Sequence, residues 1–326
     1  MKHLTAAGGG STMKHLTALA LASLFAGTAA AQPISIITTP AGSFSNSAGA
    51  AMAKVIVDKA KLRAIVQAQA STGFEETVSG TADFNVSNSF DATFFATGTG
   101  EYEGRGARPN LRHVGALIPY RVAMHVRADS PFRRIADLKG KRVSSEFNTQ
   151  KTIGRIIEAH LANAGLSYAD MVKVPTPNIV RQAEDFMSNK TDVMFFALGS
   201  AAIKQAHASV GGVRVLEIDS APEAVKRVQA MLPGAYVMQV SPHPSIEGVS
   251  KPINLIAFDM VMVVREELSA DTVYKVAKAL YESKQELMAT FPPFALFNPK
   301  TMAKPVQNVP FHPGALKFYR EAGIAP

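Results

Sequence analysis

Short apolar runs alternate with amphipathic stretches along most of the chain. The run Ile34–Ile37 is followed by a small polar loop and then by apolar residues at helical spacing from Ala48 to Ile56. The apolar runs Ala64–Ala70 and Ala82–Val86 continue the pattern, with a second helical stretch between them. Because strands that alternate with helices form a mostly parallel sheet covered by those helices, we predict an α/β fold.

Two apolar stretches are longer than the others, at residues 114–126 and 253–264, and a second series of short strands lies between them. A helix is predicted at 152–163, and another begins after the N-cap Ser269, with apolar residues at helical spacing as far as Leu287. The predicted strands of this second series are 142–144, 172–174, 192–198, 213–218 and 235–240.

One complete α/β unit separates the two long apolar stretches, so we predict two lobes joined by two hinge strands. Residues 32–118 and 262–326 form a discontinuous first lobe, and residues 119–261 form the second. Each lobe is a mixed, mostly parallel sheet flanked by helices. A ligand of such a protein binds in the cleft between the lobes, at the carboxyl ends of the parallel strands.

The N-terminal segment has the pattern of an export signal. Residues 13–18 repeat residues 1–6, which indicates that Met13 is the natural start and that residues 1–12 are an added extension. Lys14, an apolar run to Ala26 and the small residues 29–31 then form a secretory signal peptide, too short to span a membrane. We therefore expect cleavage before Gln32 and a periplasmic protein.

Composition excludes several kinds of chemistry. The 326 residues include no Cys, so a disulfide framework, a thiolate zinc site, an iron–sulfur cluster and a cysteine nucleophile are ruled out. The formal net charge of +8 comes from basic residues scattered along the chain, which gives no nucleic-acid footprint. The histidines lack metal-ligand spacing, and no nucleophile elbow or P-loop occurs. We predict no cofactor, no metal and no enzymatic activity.

Three polar loops precede predicted helices, at residues 39–47, 71–73 and 144–152. Each offers free backbone N–H groups, the positive end of a helix dipole and hydroxyl side chains, which together suit a carboxylate. Simple N-capping is the alternative explanation for any one of them. Since all three follow strands, we predict that they converge on a site for a small anion.

Arg121 lies in the middle of the first long apolar stretch, where the backbone passes the cleft. Its guanidinium could form a bidentate pair with a carboxylate, or it could be a salt-bridged arginine of the hinge. Phe44 and Phe147 lie in polar loops and are candidates for stacking on a ligand.

The chain resembles the TAXI branch of TRAP-transporter solute receptors, which are periplasmic binding proteins of the type II fold. The resemblance covers essentially the whole mature chain. The run D-L-K-G-K-R-V is shared by many type II binding proteins, whereas P-G-A-Y and the H-P-G-A tail are more specific. The matching segments are 50–53, 71–76, 80–83, 125–130, 135–144, 190–196, 233–236, 311–315 and 318–323.

This resemblance implies a receptor that captures a small organic acid between its lobes and delivers it to the integral-membrane subunits of an ion-gradient-driven TRAP transporter. We expect a monomer. Two alternatives remain: a receptor that presents ligand to a membrane signalling kinase, and an enzyme built on the same fold. The predicted ligand-binding residues are Ser43, Phe44, Thr72 and Asn88 in the first lobe, Asn148, Thr149, Gln150, Thr152 and Phe196 in the second, and Tyr120, Arg121 and Tyr236 near the hinge or rim.

The sequence departs from the family pattern in the first stretch that crosses the cleft. Tyr120 and Arg121 occupy positions where the family often has an acidic residue and a proline. An acidic residue there would suit an amine, so its replacement favours a ligand with acid groups and no amine.

Overall fold

The structure, a computed structural model, describes residues 32–326. The strands of this part of the chain are β1 (Ile34–Thr38), β2 (Ala64–Ala68), β3 (Phe84–Asn88), β4 (Leu111–Arg127), β5 (Arg142–Ser145), β6 (Val172–Pro175), β7 (Val193–Ala197), β8 (Val213–Val215), β9 (Tyr236–Val240) and β10 (Ile253–Arg265). The α-helices of the same residues are α1 (Phe44–Val55), α2 (Phe74–Val78), α3 (Ser89–Thr97), α4 (Lys151–Asn163), α5 (Ile179–Met187), α6 (Ala201–Ser209), α7 (Pro222–Met231), α8 (Ala270–Glu282), α9 (Lys284–Thr290) and α10 (Pro313–Glu321).

Eight strands form one mixed sheet whose main path is β2-β1-β3-β10-β4-β7, with β9 paired to β10 and β8 paired to β4. Strands β5 and β6 form a separate parallel pair. Within the described residues, parallel pairing also joins β1 to β2 and to β3, whereas the ladders of β4 and β10 are antiparallel. The α/β class and the mixed sheet predicted from the pattern are confirmed, but antiparallel ladders outnumber parallel ones in the described residues, because both long strands pair with other strands only in the antiparallel sense. The strands are therefore not mostly parallel, whereas the pattern predicts that they are.

The long strands β4 and β10 run through both ends of the molecule. Residues Met260–Val264 of β10 pair with β3, and Ile253–Ala257 pair with β9. One of the register shifts between β4 and β10 lies just after Asp259 and just before Pro119, and these two residues face each other. Proline has no N–H to donate to a ladder and is tolerated at such an irregularity. This irregularity lies where the two strands pass from one end of the molecule to the other.

We name the two ends by their elements. The first lobe contains β1–β3, α1–α3 and α8–α10, and the second lobe contains β5–β9 and α4–α7. Both predicted lobe boundaries, after residues 118 and 261, fall within the two crossing strands. The fold is thus the two-lobed α/β fold that the sequence predicts, with a buried apolar core along both faces of the sheet.

Most predicted elements are present, with changed ends. The strand predicted at 82–86 lies at Phe84–Asn88, and the strand predicted at 213–218 stops at Val215. Ser269 caps α8 as predicted, but Ser283 ends that helix, so Leu287 belongs to α9. The prediction that Phe44 lies in a polar loop is wrong. Ser43 caps α1, so Phe44 is the first residue of that helix, and its side chain is buried.

The extension and signal peptide predicted for residues 1–31 lie outside the described residues. Within residues 32–326, no helix is both long enough and apolar enough to cross a membrane.

Candidate ligand-binding site

A cavity of about 80 Å³ lies between the two lobes. Its apolar wall is largely aromatic, and its polar groups are hydroxyls, two amides and one carboxyl. We call it the inner cavity. It is lined by Thr39, Ser43, Phe44, Ser45, Thr72, Val86, Ser87, Asn88, Asp91, Tyr120, Val122, Gln150, Thr152, Ile153, Ile156, Ile179, Phe195, Phe196, Ala197, Ser200 and Phe258.

Within residues 32–326, four helices have their N-cap residue in the wall of the inner cavity. The N-caps of α1, α3, α4 and α6 are Ser43, Asn88, Gln150 and Ser200, and all four residues line its wall. The side chains of Gln150 and Ser200 do not cap their own helices. Because the N-terminal end of a helix carries partial positive charge, these four ends favour an anion or a hydrogen-bond acceptor in the cavity.

Gln150 brings a free amide donor to this wall. The residue is only 1% exposed, and its Oε1 accepts a hydrogen bond from the backbone N–H of Ile179 at 2.9 Å. Since a backbone N–H must face an oxygen, the orientation of the amide is fixed. Its Nε2 has no hydrogen-bond partner within the described residues. An unpaired buried donor costs free energy, and a ligand oxygen would relieve that cost.

Asn88 supplies a second amide from the other lobe. Its Oδ1 accepts a hydrogen bond from the backbone N–H of Asp91 at 2.8 Å, which fixes the orientation of this amide too. The Nδ2 of Asn88 makes no hydrogen bond to any part of the chain that the structure describes. The cavity therefore presents one amide donor from each lobe, Asn88 from the first and Gln150 from the second.

Among residues 32–326, Asp91 is the only acidic or basic residue in the wall of the inner cavity. It is 1% exposed, and its Oδ1 accepts a hydrogen bond from the Thr152 hydroxyl at 2.9 Å. Burial raises the pKa of Asp91 to about 7, against the opposing effect of hydrogen bonds from Thr152 and Tyr102. A buried carboxyl without a paired cation holds its proton more tightly than an exposed one.

The two lobes touch each other at the edge of the cavity. The Thr152–Asp91 hydrogen bond joins α4 to α3. Beside it, Arg155 of α4 forms an ion pair with Glu101 of the first lobe, with an Nε–Oε1 distance of 2.6 Å. The guanidinium of Arg155 also lies 5.1 Å from the ring centre of Phe94. These contacts hold the lobes together over the cavity.

A larger cavity of about 500 Å³ adjoins the inner one, and we call it the outer cavity. Thr72 and Thr152 line both cavities, so they form the boundary between them. The outer cavity contains Asn148 and Thr149, which are exposed. The Thr149 hydroxyl donates a hydrogen bond to the carbonyl oxygen of Pro177 at 2.6 Å. These two predicted residues thus lie at the mouth of the cleft.

The structure brings eight of the twelve predicted residues to the inner cavity, and these are Ser43, Phe44, Thr72, Asn88, Tyr120, Gln150, Thr152 and Phe196. Arg121 is not among them. Tyr120 and Val122 face the cavity, and alternate residues of a strand point to opposite sides, so Arg121 faces away. It is 9% exposed and forms no ion pair within the described residues, and burial lowers its pKa.

Tyr236 also lies away from the inner cavity. Its hydroxyl donates a hydrogen bond to Oδ1 of Asp259 at 3.1 Å, and the Lys304 ammonium lies 5.5 Å from its ring centre. Phe147 is buried and packs beside Gly154 rather than in the inner cavity. With Arg121 outside the cavity wall, the charge argument for a ligand without an amine loses its support.

Asp91 and Tyr102 are the most informative residues that the sequence interpretation missed. Asp91 follows the N-cap Asn88 by three positions, a capping spacing that could have marked it. Tyr102 lies in a stretch rich in glycine and charged residues, at 96–110. It is buried against Phe74 and Phe95, and its hydroxyl lies 3.1 Å from that of Thr72. No local pattern indicates this burial.

The described part of the chain contains no group of three or more His, Asp or Glu side chains placed to hold a metal ion. The chemistry that the inner cavity offers is binding through amide and hydroxyl hydrogen bonds and apolar contact.

Solved structures with a similar fold cover most of the chain. The periplasmic binding protein BugD matches with a TM-score of 0.58 and 12% identity over 90% of this chain and 98% of that one. A protein from Bordetella bronchiseptica RB50 matches with a TM-score of 0.54 and 10% identity over 89% and 98%. A protein described as a periplasmic transporter gives 0.51 and 12% over 80% and 86%. At these identities the likeness shows the fold.

The amino-acid sequence identifies the family of the chain. A profile of the NMT1-like family matches residues 36–323, which is almost all of the described chain. The chain belongs to the NMT1-like family and has the fold of periplasmic binding proteins.

Proposed function

We propose that the protein is a periplasmic solute receptor that binds a small carboxylate in the inner cavity. Three findings support this role: membership of the NMT1-like family, the fold shared with BugD, and an inner cavity between two lobes. The export pattern predicted at the N-terminus agrees with the compartment. A role in binding rather than in catalysis fits a wall of amides, hydroxyls and apolar side chains.

One observation carries the carboxylate assignment. Asn88 and Gln150 each hold their amide oxygen in a hydrogen bond to the backbone, which leaves Nδ2 and Nε2 as donors. A carboxylate offers two oxygens and can accept from both. The four helix ends around the cavity add favourable electrostatics without a buried cation.

Ligand capture follows from the placement of these donors on different lobes. A ligand held by Asn88 and by Gln150 makes both bonds only when the lobes are closed. It therefore binds the closed form more tightly and shifts the population towards it. The register shift of β4 and β10 at Pro119 provides the place where the crossing strands bend.

The finer assignment rests on the resemblance described above. We propose that the protein belongs to the TAXI branch, acts as a monomer without a cofactor, and delivers its ligand to the membrane subunits of a TRAP transporter. Asn148 and Thr149 would meet the ligand at the cleft mouth, before it reaches the inner cavity.

Native mass spectrometry of the purified protein tests the receptor role directly. We expect a bound small acid whose mass disappears after unfolding and refolding. If the protein carries none, a thermal-shift screen of organic acids replaces this measurement, because a true ligand raises the melting temperature. Turnover of a bound ligand into a product would contradict the proposal.

Gln150→Glu tests the carboxylate assignment. The new side chain keeps an acceptor for the Ile179 N–H but replaces the donor with an acid, so binding of an acid at pH 8 should weaken at least tenfold. Gln182→Glu is the matched control. Gln182 is equally buried, its Oε1 accepts from the N–H of Phe195, and its Nε2 is also unpaired, yet it lies outside the cavity wall. Equal effects of both variants in calorimetric titrations would refute the assignment.

A further inference from the structure

The polar donors of the inner cavity occupy only part of its wall. Phe44, Tyr120 and Phe258 form a continuous aromatic row, with ring centres 5.2 Å and 5.5 Å apart. Ile153 and Ile156 of α4 extend this apolar surface from the second lobe. A surface of this kind binds an apolar group through contact and through release of water.

Charged side chains are as unevenly distributed around the inner cavity as polar ones are. Within the described residues, no Lys, Arg or His lines the inner cavity, and its one titratable acid is Asp91. The charge of Arg155 acts on Asp91, but Arg155 is already paired with Glu101 and lies outside this wall. Two amide donors and the helix ends can stabilise one carboxylate. A second carboxylate would be buried beside Asp91 without a cation, which is unfavourable.

We propose that the ligand carries a single acid group on an apolar body and that Asp91 excludes a second acid group. This inference rests on the proposed function and narrows it, because it selects a monocarboxylate with a branched or aromatic body and rejects dicarboxylates. Asp91 acts here as a specificity-determining residue, and Asn88 and Gln150 hold the acid.

The test compares two probes of nearly equal shape at pH 8. Glutarate and 5-methylhexanoate share one carboxylate and the same chain, and they differ in whether the far end is a carboxylate or an isopropyl group. In calorimetric titrations of the wild-type protein, we expect 5-methylhexanoate to bind at least 100-fold more tightly than glutarate. Glutarate binding equal to or tighter than that of 5-methylhexanoate would overturn the inference and leave the receptor role intact.

Asp91→Asn assigns the selectivity to one side chain. Asparagine keeps an acceptor for the Thr152 hydroxyl and removes the charge, so the affinity for glutarate relative to that for 5-methylhexanoate should rise at least tenfold over the wild-type ratio. Asp185→Asn is the control, since Asp185 is a buried acid on α5 outside the cavity, and this variant should keep the wild-type ratio. An unchanged ratio in Asp91→Asn would remove Asp91 from the selectivity.

A third probe separates the two proposals. The neutral amide 5-methylhexanamide has the same body without an acid. Tight binding of the amide with no binding of either acid would contradict the carboxylate assignment itself, and with it this inference. Binding of 5-methylhexanoate well above both other probes supports both.

Discussion

Asp91 places an acid in a wall that is otherwise made of hydroxyls, amides and apolar side chains. Its carboxyl accepts a hydrogen bond from the Thr152 hydroxyl of the other lobe. The same group that excludes a second acid group on the ligand therefore also helps to join the lobes. A residue with both roles couples the ionisation of the cavity to closure. The effect of this ionisation can be measured in the free protein, because the hydrogen bond between Thr152 and Asp91 forms without a ligand.

The stability of the free protein should depend on the ionisation of Asp91. Burial raises its pKa to about 7, above the value of about 3.9 expected in the unfolded chain. The folded state therefore binds the proton more tightly, and the contribution of Asp91 is full at low pH and is lost as the pH rises through 7. Between pH 5 and pH 8, the free energy of unfolding of Asp91→Asn should rise by about 1.5–3 kcal/mol relative to the wild type.

Urea unfolding of both proteins at pH 5, 6.5 and 8 measures this difference. The buried histidines His113 and His125, whose pKa values burial lowers to about 3 and about 4, are present in both proteins and cancel in the comparison. A difference that stays constant across this pH range would show that Asp91 is ionised normally in the fold.

Single residues show where the sequence was informative. The polar loops before helices pointed to Ser43, Thr72, Gln150 and Thr152, because a run of hydroxyl and amide side chains before a helix is visible in a sequence. The direction of Arg121 was not visible, because a one-residue change along a strand reverses the side that a residue faces. Asp91 was overlooked because an acid near a helix start usually reads as a favourable surface charge.

At the scale of elements, close helix packing depends on glycine at one crossing. Gly314 lies in the first turn of α10, and a Cβ there would overlap the carbonyl oxygen of Ala270 at the start of α8. Gly314→Ala should therefore lower the free energy of unfolding by about 1–3 kcal/mol, the usual cost of overpacking. Thermal or urea unfolding measures the change.

Gly154→Ala is the matched control for that variant. Gly154 lies inside α4, and a Cβ would make only ordinary contacts with Phe147 and Tyr168 at 3.6 Å and 4.0 Å. Because alanine favours a helix interior over glycine, this change should raise the free energy of unfolding by about 0.5–1 kcal/mol. The same sign for both variants would contradict the packing argument.

The elements themselves were largely predictable, and their ends were not. Apolar runs located most strands of the sheet, since burial on both sides makes them continuous. Tertiary contacts then decided the ends, as at Phe44, which packs against Tyr120 and Phe291 and so extends α1 to Ser43. The burial of Tyr102 likewise depends on aromatic neighbours from other elements, which no local pattern indicates.

For the whole molecule, the contact between Arg155 and Glu101 should favour the closed form. Both side chains are half-buried at the lobe boundary, and Arg155 also lies over Phe94. Arg155→Gln should weaken this contact by about 1 kcal/mol and raise the Kd of a ligand about fivefold. Small-angle X-ray scattering without ligand should show a larger radius of gyration than that of the wild type.

Lys226→Gln is the control for the loss of a positive charge from the surface of the second lobe. Lys226 pairs with Glu223 on the exposed side of α7, within the second lobe, and its loss should leave both the Kd and the scattering curve unchanged. An Arg155→Gln protein with wild-type affinity and dimensions would show that the ion pair does not contribute to closure.

The two-lobed plan followed from the order of apolar runs, because two long stretches separated by an α/β unit leave few arrangements. A cleft and eight of the residues that line the inner cavity were predicted from the sequence, but the rest of its wall was not. Its wall combines residues from α1, α3, α4 and β10, and only the packing of the lobes determines which faces meet.

The position of β10 in the sheet has a consequence for the order in which the chain folds. This strand lies between β3 and β4, and it also carries β9. Until a ribosome has passed residue 265, the edge of β3 has no native partner and neither lobe can complete its sheet. Pairing over so long a sequence separation is slow to form. Synthesis is therefore nearly finished before folding can be, so the export that we propose would act on an unfolded chain.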